Sequence, residues 1–486
     1  MKSDFFFNYQ SSNDKFLKEV NDIVINKIKS NRKTKKGLTE AILKKETQTI
    51  KLIVDALYQA YFSIPKVLVA IPLKKSFYSK LKIGYRAVRR IFIVLKDAWL
   101  VEFKSGNTYS GKVTQLTPSD KLILIFNTLG FKWRPYELKD DQEIISITDK
   151  IKVNNKKKRI TLPTPDTDEI RQHRENLRLI NYLLLRSCIA LNIDDVAYKI
   201  LEREIEVKNK TLVKDKFWRS KIHHSINFSK VVLRRVFSRN NIETNGRFYG
   251  GWWQSLPEKY RTHITINGIK TVEIDYSSMI MRMLYAKENI NIEDGKDLYD
   301  IGLPVTEDQR VLIKRFIIAS INDEKGRYRL SNEELKILGI THTQLFKLVK
   351  KVHAPIEKYF SSGIGLKLMF EDSKIAEDIM LYFLGKSIVV LPIHDSFIIQ
   401  QPFASELKEQ MIISFKKIVG STTLVKQSTS SDSYNFYDDV FTLKDKNKDN
   451  LRIVNANPNN IYSSYLNSWL KWVKANKFHS FNTNRY

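Results

Sequence analysis

Along residues 271–276 the chain alternates. Val272 and Ile274 are apolar while Thr271, Glu273 and Asp275 are polar, the two-residue period of a half-buried strand. After Tyr276 the period lengthens, and Met279, Met283 and Ala286 with Arg282 read as a helix. Asp275 is therefore expected at a strand end, where a sheet opens into a loop. Apolar residues 388–393 and 397–399 flank His394, Asp395 and Ser396, which predicts a hairpin with Asp395 at its tip. Between these stretches, Arg310 and Lys314 stand i and i+4 on a predicted helix, with both cations on one face. Residues 405–427 predict a further helix and a last strand.

The N-terminal half carries other periods. Ile50, Ile53, Leu57 and Tyr61 make one apolar stripe of a helix over 47–62, and Val88, Ile91, Phe92 and Leu95 make that of a second over 85–99. On the second, Arg86 and Arg90 lie opposite the stripe and Arg89 to one side. Two strands are expected over 100–107 and 111–116, around a glycine-containing tip. Lysines 156–158 and Arg159 form a charge run, read as a linker or an exposed hairpin, and 170–193 reads as helical through Ile170, Leu177, Ile180 and Leu184. Residues 462–478 predict a short amphipathic helix with a basic side.

Charge then narrows the class. Lys and Arg number 82 against 53 Asp and Glu, a formal +29 over 486 residues. Such a balance points to a polyanionic partner, foremost nucleic acid. Cys188 is the single cysteine, which leaves no disulfide framework and no thiolate zinc site. The first ten residues do not read as a signal peptide and no apolar run is long enough for a bilayer, so a cytoplasmic setting is expected. No GxxxxGK phosphate loop occurs, and no acidic constellation of a proofreading nuclease stands out.

Two Asp on adjacent strand ends beside a cationic helix is the arrangement that nucleotidyl transfer requires, since two divalent ions, Mg²⁺ or Mn²⁺, clamp the attacking and leaving oxygens while the cations meet the triphosphate. The order DYS…R, RxxxK, HDS resembles motifs A, B and C of the family A DNA polymerases and the phage-type single-subunit RNA polymerases. Residues 244–248 (TNGRF) and 254–257 (QSLP) are similar to the segment upstream of motif A in those DNA polymerases, and 370–380 resembles the helix ahead of motif C. The likeness covers about 241–427.

The resemblance implies an α+β fold: a right-hand polymerase palm with reduced fingers, preceded by a winged-helix-like domain and a helical basic segment. It divides the chain into a basic segment 1–40, a winged-helix-like DNA-binding domain 41–140, a helical connector 141–240 in the place of a thumb, a palm and fingers 241–427 and a polar tail 428–486. It also implies roles. Asp275 and Asp395 hold metal, with the Tyr276 carbonyl as a third ligand. Lys314 meets the triphosphate and protonates the pyrophosphate, and Arg310 holds the outer phosphates. Arg247, Gln254, His394 and Arg282 lie toward the primer–template, His394 near the primer end and Arg282 as support on the helix after Asp275. Arg86, Arg89, Arg90 and Lys112 would meet duplex DNA, as in the winged helices fused to replication initiators.

Three departures stand out. The Glu that excludes the 2′-hydroxyl in the DNA polymerases is replaced by Ile280. The aromatic residue late on the motif B helix aligns with Asn322. Motif C ends in Ser396, as in the RNA polymerases. Sugar preference is left open. The readings are a DNA polymerase or primase-polymerase of a mobile element, a single-subunit RNA polymerase, or a non-catalytic initiator with a relict palm. The partners expected are primer–template, duplex DNA and nucleoside triphosphates, with no membrane.

Overall fold

The computed structural model describes residues 3–5, 17–30, 40–78, 83–106, 113–134, 138, 142–153, 156–214, 225–293, 295–427 and 461–476. Lys112, all of 428–460 and more than half of 1–40 lie outside them. The fold mixes helices and sheets throughout, as an α+β chain does.

The chain opens with β1 (Ser3–Phe5), α1 (Lys18–Ser30), α2 (Glu40–Tyr61), β2 (Leu68–Ile71), α3 (Tyr85–Asp97), β3 (Val101–Lys104), β4 (Thr114–Pro118) and α4 (Asp120–Leu129). The expected stripes are the buried ones: Ile50, Ile53 and Leu57 on α2, and Val88, Ile91, Phe92 and Leu95 on α3. The strands order β1-β2-β4-β3, so the hairpin β3–β4 folds back to place β4 beside β2. A buried ion pair, Arg134 Nη1 to Asp55 Oδ1 at 2.7 Å, ties the segment after α4 to α2.

Next come β5 (Ile145–Val153), β6 (Lys156–Leu162), α5 (Asp168–Arg186), β7 (Ile189–Leu191), α6 (Asp195–Lys214), β8 (Arg234–Ser238) and β9 (Asn241–Tyr249). The charge run is the exposed hairpin: β5 and β6 pair antiparallel with Lys150 opposite Arg159. The helix expected over 170–193 is shorter. Thr167 caps its start by accepting from the Ile170 amide, it ends at Arg186, and Ile189–Leu191 leaves to pair antiparallel with a later strand. A short apolar run carries no period by which a strand can be told from helix. These strands order β6-β5-β8-β9, with β5 parallel to β8.

The remaining elements are α7 (Glu258–Arg261), β10 (Ile264–Ile266), β11 (Ile269–Tyr276), α8 (Met279–Lys287), α9 (Glu307–Asn322), α10 (Asn332–Leu338), α11 (His342–Val352), α12 (Gly365–Gly385), β12 (Val390–Ile393), β13 (Ser396–Gln400), α13 (Ala404–Val419), β14 (Val425–Gln427) and α14 (Ile461–Ala475). The central sheet orders β12-β13-β11-β10-β7, and β14 pairs with the end of β11. The strand period sorts its faces. Val272, Ile274 and Tyr276 are buried, and the Tyr276 hydroxyl donates to the Met411 carbonyl of α13 at 2.6 Å. Thr271, Glu273 and Asp275 point the other way.

Helix α12 crosses β9 closely. Gly246, at φ +72°, sits where an added Cβ would come within 2.7 Å of Ser373 Oγ, so glycine is needed there twice over. Trp252 and Trp253 are core residues, 2% and 0% exposed, and the Trp253 indole donates to the Pro392 carbonyl at 3.2 Å. The C-terminal helix α14 packs on its own chain: the Trp469 indole donates to the Arg186 carbonyl at 2.8 Å, and Tyr465 stacks on Phe131 with centroids 5.1 Å apart.

Candidate functional site

The two Asp-bearing turns meet. β11 and β13 run antiparallel with Asp275 opposite Ser396, and β12–β13 is the hairpin whose turn is His394-Asp395. The Tyr276 amide donates to the Asp395 carbonyl at 3.2 Å, so the turns are hydrogen-bonded to each other. His394 adopts φ +51°, a left-handed conformation that aims the next residue across the strand ends. It is exposed, with its ring 6.0 Å from that of Tyr249.

Electrostatics mark the spot. Asp275 has a solvent-open side, yet loss of bulk water, and then the charges of Asp395 and Glu273, push its carboxyl up to about 7, with Lys314 pulling the other way. Glu273, two residues earlier on the same face, is buried. Its Oε1 accepts from Ser396 Oγ at 2.6 Å and from Arg261 Nη1 at 3.0 Å. A further acid comes from α12: Asp372 is fully enclosed, and burial pushes it up to about 6 against the Arg247 charge, with Asp395 adding repulsion. Arg247 Nε donates to Asp372 Oδ2. The sequence motifs miss Glu273, Arg261 and Asp372. Glu273 is visible only as a polar residue on a strand, and Asp372 only as one acid of an amphipathic helix.

On the facing side, the capping box of Thr306 and Gln309 starts α9 and fixes where its cations fall. Lys314 is exposed with its Nζ 5.4 Å from the Tyr299 ring, and its charge reaches Asp275. Arg310 is paired side-on with Asp297, Nε to Oδ2 2.7 Å and Nη2 to Oδ1 2.9 Å.

Thus Asp275, Asp395, Lys314, Arg310, His394 and Arg247 are brought to one region. Several of the expected site residues also have partners within the chain. Gln254 donates to the Phe248 and Pro392 carbonyls at 2.9 and 3.0 Å and accepts from the Gly250 amide at 3.0 Å, which fastens β12 to the loop. Arg282 is 4% exposed and donates to the Ser277 and Ile292 carbonyls, so it supports the turn after Asp275 from inside. Arg247 is committed to Asp372. The Tyr276 ring is buried, which leaves its backbone as its route to a ligand. Asn322 donates back to the Ile318 carbonyl at 2.8 Å and packs against Gly365, at the far end of α9 from Arg310. Ile280 is half-buried in the first turn of α8. On α3, Arg86 and Arg89 are exposed, whereas Arg90 is paired with the buried Glu46.

Hard oxygen donors in negative excess suit a divalent ion. Among the described residues no group of three or more His, Cys, Asp or Glu converges as a metal centre, so a magnesium-type ion here would take one or two carboxylates, with substrate phosphates and water completing its shell. The donor set fits that pattern. Among the described residues no helix is long and apolar enough to cross a membrane.

No protein family and no curated protein matches the chain. Among solved structures it is similar to the POL domain of Pol1 from M. smegmatis in complex with DNA primer-template and dNTP, at 12% identity and a TM-score of 0.30. The match spans 49% of this chain and 53%, about half, of that one.

Proposed function

We propose that the chain is a template-directed nucleotidyltransferase, a nucleic-acid polymerase built on a palm-like sheet. The observation that carries this reading is the junction of the Asp275 and Asp395 turns on adjacent antiparallel strands, with the Lys314 charge reaching Asp275 from α9. Asp275 and Asp395 would hold two divalent ions, which when bound polarise the attacking hydroxyl and the leaving phosphate oxygens. Lys314 would donate its proton toward the pyrophosphate, and Arg310 would bind the outer phosphates through the guanidinium edge that Asp297 leaves unused. Arg261 and Ser396 keep Glu273 hydrogen-bonded, so the acid behind Asp275 neither swings into the site nor goes unsatisfied.

The N-terminal sheet and α3 support a winged-helix reading, with Arg86 and Arg89 on the exposed helix face for duplex DNA. The formal +29 supports a nucleic-acid partner.

The test is extension of a labelled primer–template by the purified chain with deoxy- or ribonucleotides and Mg²⁺ or Mn²⁺. Template-directed addition is expected, and its loss in Asp275→Ala and Asp395→Ala with DNA binding kept. DNA binding without any extension by the wild type would turn the reading to a non-catalytic initiator.

A further inference from the structure

The loop between α8 and α9 supplies two side chains that the motifs pass over. Asp297 accepts both hydrogen bonds from one edge of the Arg310 guanidinium, and its Oδ1 also accepts the Tyr299 amide at 3.0 Å. A side-on pair of this kind fixes the plane of the guanidinium. It leaves Nη1, on the opposite edge, with Glu307 Oε1 3.8 Å away, beyond hydrogen-bond length.

Tyr299 does the complementary work. It is 4% exposed, between the buried Leu298 and Ile301. Its ring lies 5.7 Å from the Arg310 guanidinium carbon and 5.4 Å from Lys314 Nζ, so both cationic heads rest near one aromatic ring. Its hydroxyl meets the side chain of Ser278, the N-cap of α8, three residues after Asp275. One short segment thus contacts both cations of α9 and the start of the helix that follows the first acid.

We propose that Asp297 and Tyr299 are positioning residues for a nucleoside triphosphate: Asp297 turns the free edge of Arg310 toward the outer phosphates, and Tyr299 sets the distance of Arg310 and Lys314 from the acidic turns. This rests on the nucleotidyl-transfer reading and names how its cations are aimed. A long, flexible Arg and Lys on a helix face would otherwise sample many rotamers, and holding them in place lowers the entropy lost when phosphate arrives.

The experiment measures KM and kcat for the incoming nucleotide in primer extension, binding of a fluorescent triphosphate, and melting temperature, all on the full chain. Asp297→Ala is expected to raise KM and weaken triphosphate binding by about 10- to 100-fold, with kcat far less changed. Arg310→Ala should do the same, and the double variant should be no worse than either single one, because both remove one interaction. Asp297→Glu should recover part of the loss. Tyr299→Phe, which keeps the ring, should cost less than Tyr299→Ala. Tighter nucleotide binding in Asp297→Ala would overturn the proposal, since the carboxylate would then be competing with phosphate for Arg310. So would a lower melting temperature with KM unmoved. If the wild type binds triphosphate but never extends a primer, the transfer reading fails, and weaker binding in Asp297→Ala still upholds the positioning role. Absence of triphosphate binding in the wild type overturns both.

Discussion

Helix α12 carries two buried acids five residues apart, and their surroundings treat them in opposite ways. Glu377 belongs to a matched cluster. Burial works against its charge, but His173, Arg235 and Asn176 outweigh this and pull its carboxyl down to about 2. Arg235 is 0% exposed and fully engaged, with Nη1 2.6 Å from Glu377 Oε2 and Nε donating to the Gly246 carbonyl at 3.0 Å. Asp372 belongs to an unmatched one. Arg247 is its partner, yet burial, with repulsion from the nearby Asp395 added, pushes Asp372 up to about 6, and burial with the charges of Asp395 and Glu273 pushes Asp275 up to about 7. A structural network satisfies its charges within the chain. The second cluster keeps its acids perturbed, a setting that suits the cation site proposed above.

The sharpest way to break this contrast is substitution on each side. Asp395→Asn is expected to lower primer extension by about a hundred- to a thousandfold or more, the scale for removing one group that stabilises transition-state charge. Its melting temperature in metal-free buffer should hold or rise, because one of the crowded charges is gone. Arg235→Ala should do the reverse. Leaving the buried Glu377 with His173 and Asn176 but no guanidinium costs up to about 3–5 kcal/mol, read as a shift of the urea unfolding midpoint. Extension by the fraction still folded should be much less affected. If Asp395→Asn unfolds the chain, the two clusters are alike in kind and the contrast fails.

Titration sharpens it without mutation. Glu377, at about 2 in the fold against 4.5 ordinarily, binds more protons when unfolded, so its stability contribution is present above pH 4.5 and is lost as pH falls toward 2. Asp275, at about 7 against 3.8, binds more protons when folded, so stability falls as pH rises from about 4 to about 7, and Asp372 adds a fall up to about 6. In metal-free buffer the unfolding free energy should therefore peak near pH 4 to 5 as far as these groups decide it. Asp275→Asn should flatten the upper limb and Glu377→Gln the lower. Millimolar Mg²⁺ should lift the upper limb of the wild type and not that of Asp275→Asn.

The smallest effect concerns α3, where the same distinction recurs. Arg86 and Arg89 are exposed, while Arg90 is held by Glu46. Replacing Arg86 and Arg89 by Ala should reduce the slope of log affinity for duplex DNA against log salt by about 2, near 0.9 per phosphate contact. Arg90→Ala should change that slope by less and the melting temperature by more.

How far this was legible follows from the range over which each feature is encoded. The alternation at Thr271–Asp275 and the apolar runs around Asp395 are local, and they announced β11, β12 and β13 and the acids at their ends. The cation spacing on α9 is also local. The backbone partners of Gln254 and Asn322 were not readable, because whether a polar side chain faces a ligand or a backbone carbonyl depends on what packs beside it. Asp372 and the Arg235 cluster were invisible for the same reason. Arg247 is 125 residues from Asp372 and His173 is 204 from Glu377 in the chain, and no window along the sequence spans such a pair.

The left-handed turn at His394 has a practical consequence. A non-glycine residue there is conformationally strained, of order 1–3 kcal/mol, and the fold carries that strain directly beside Asp395. Glycine adopts the same backbone freely and asparagine nearly so. The imidazole can therefore be erased by His394→Gly or His394→Asn while the main chain that presents Asp395 keeps its path, whereas a valine would twist the hairpin itself. Chemistry and scaffolding, usually entangled at one position, are separable here by the choice of replacement.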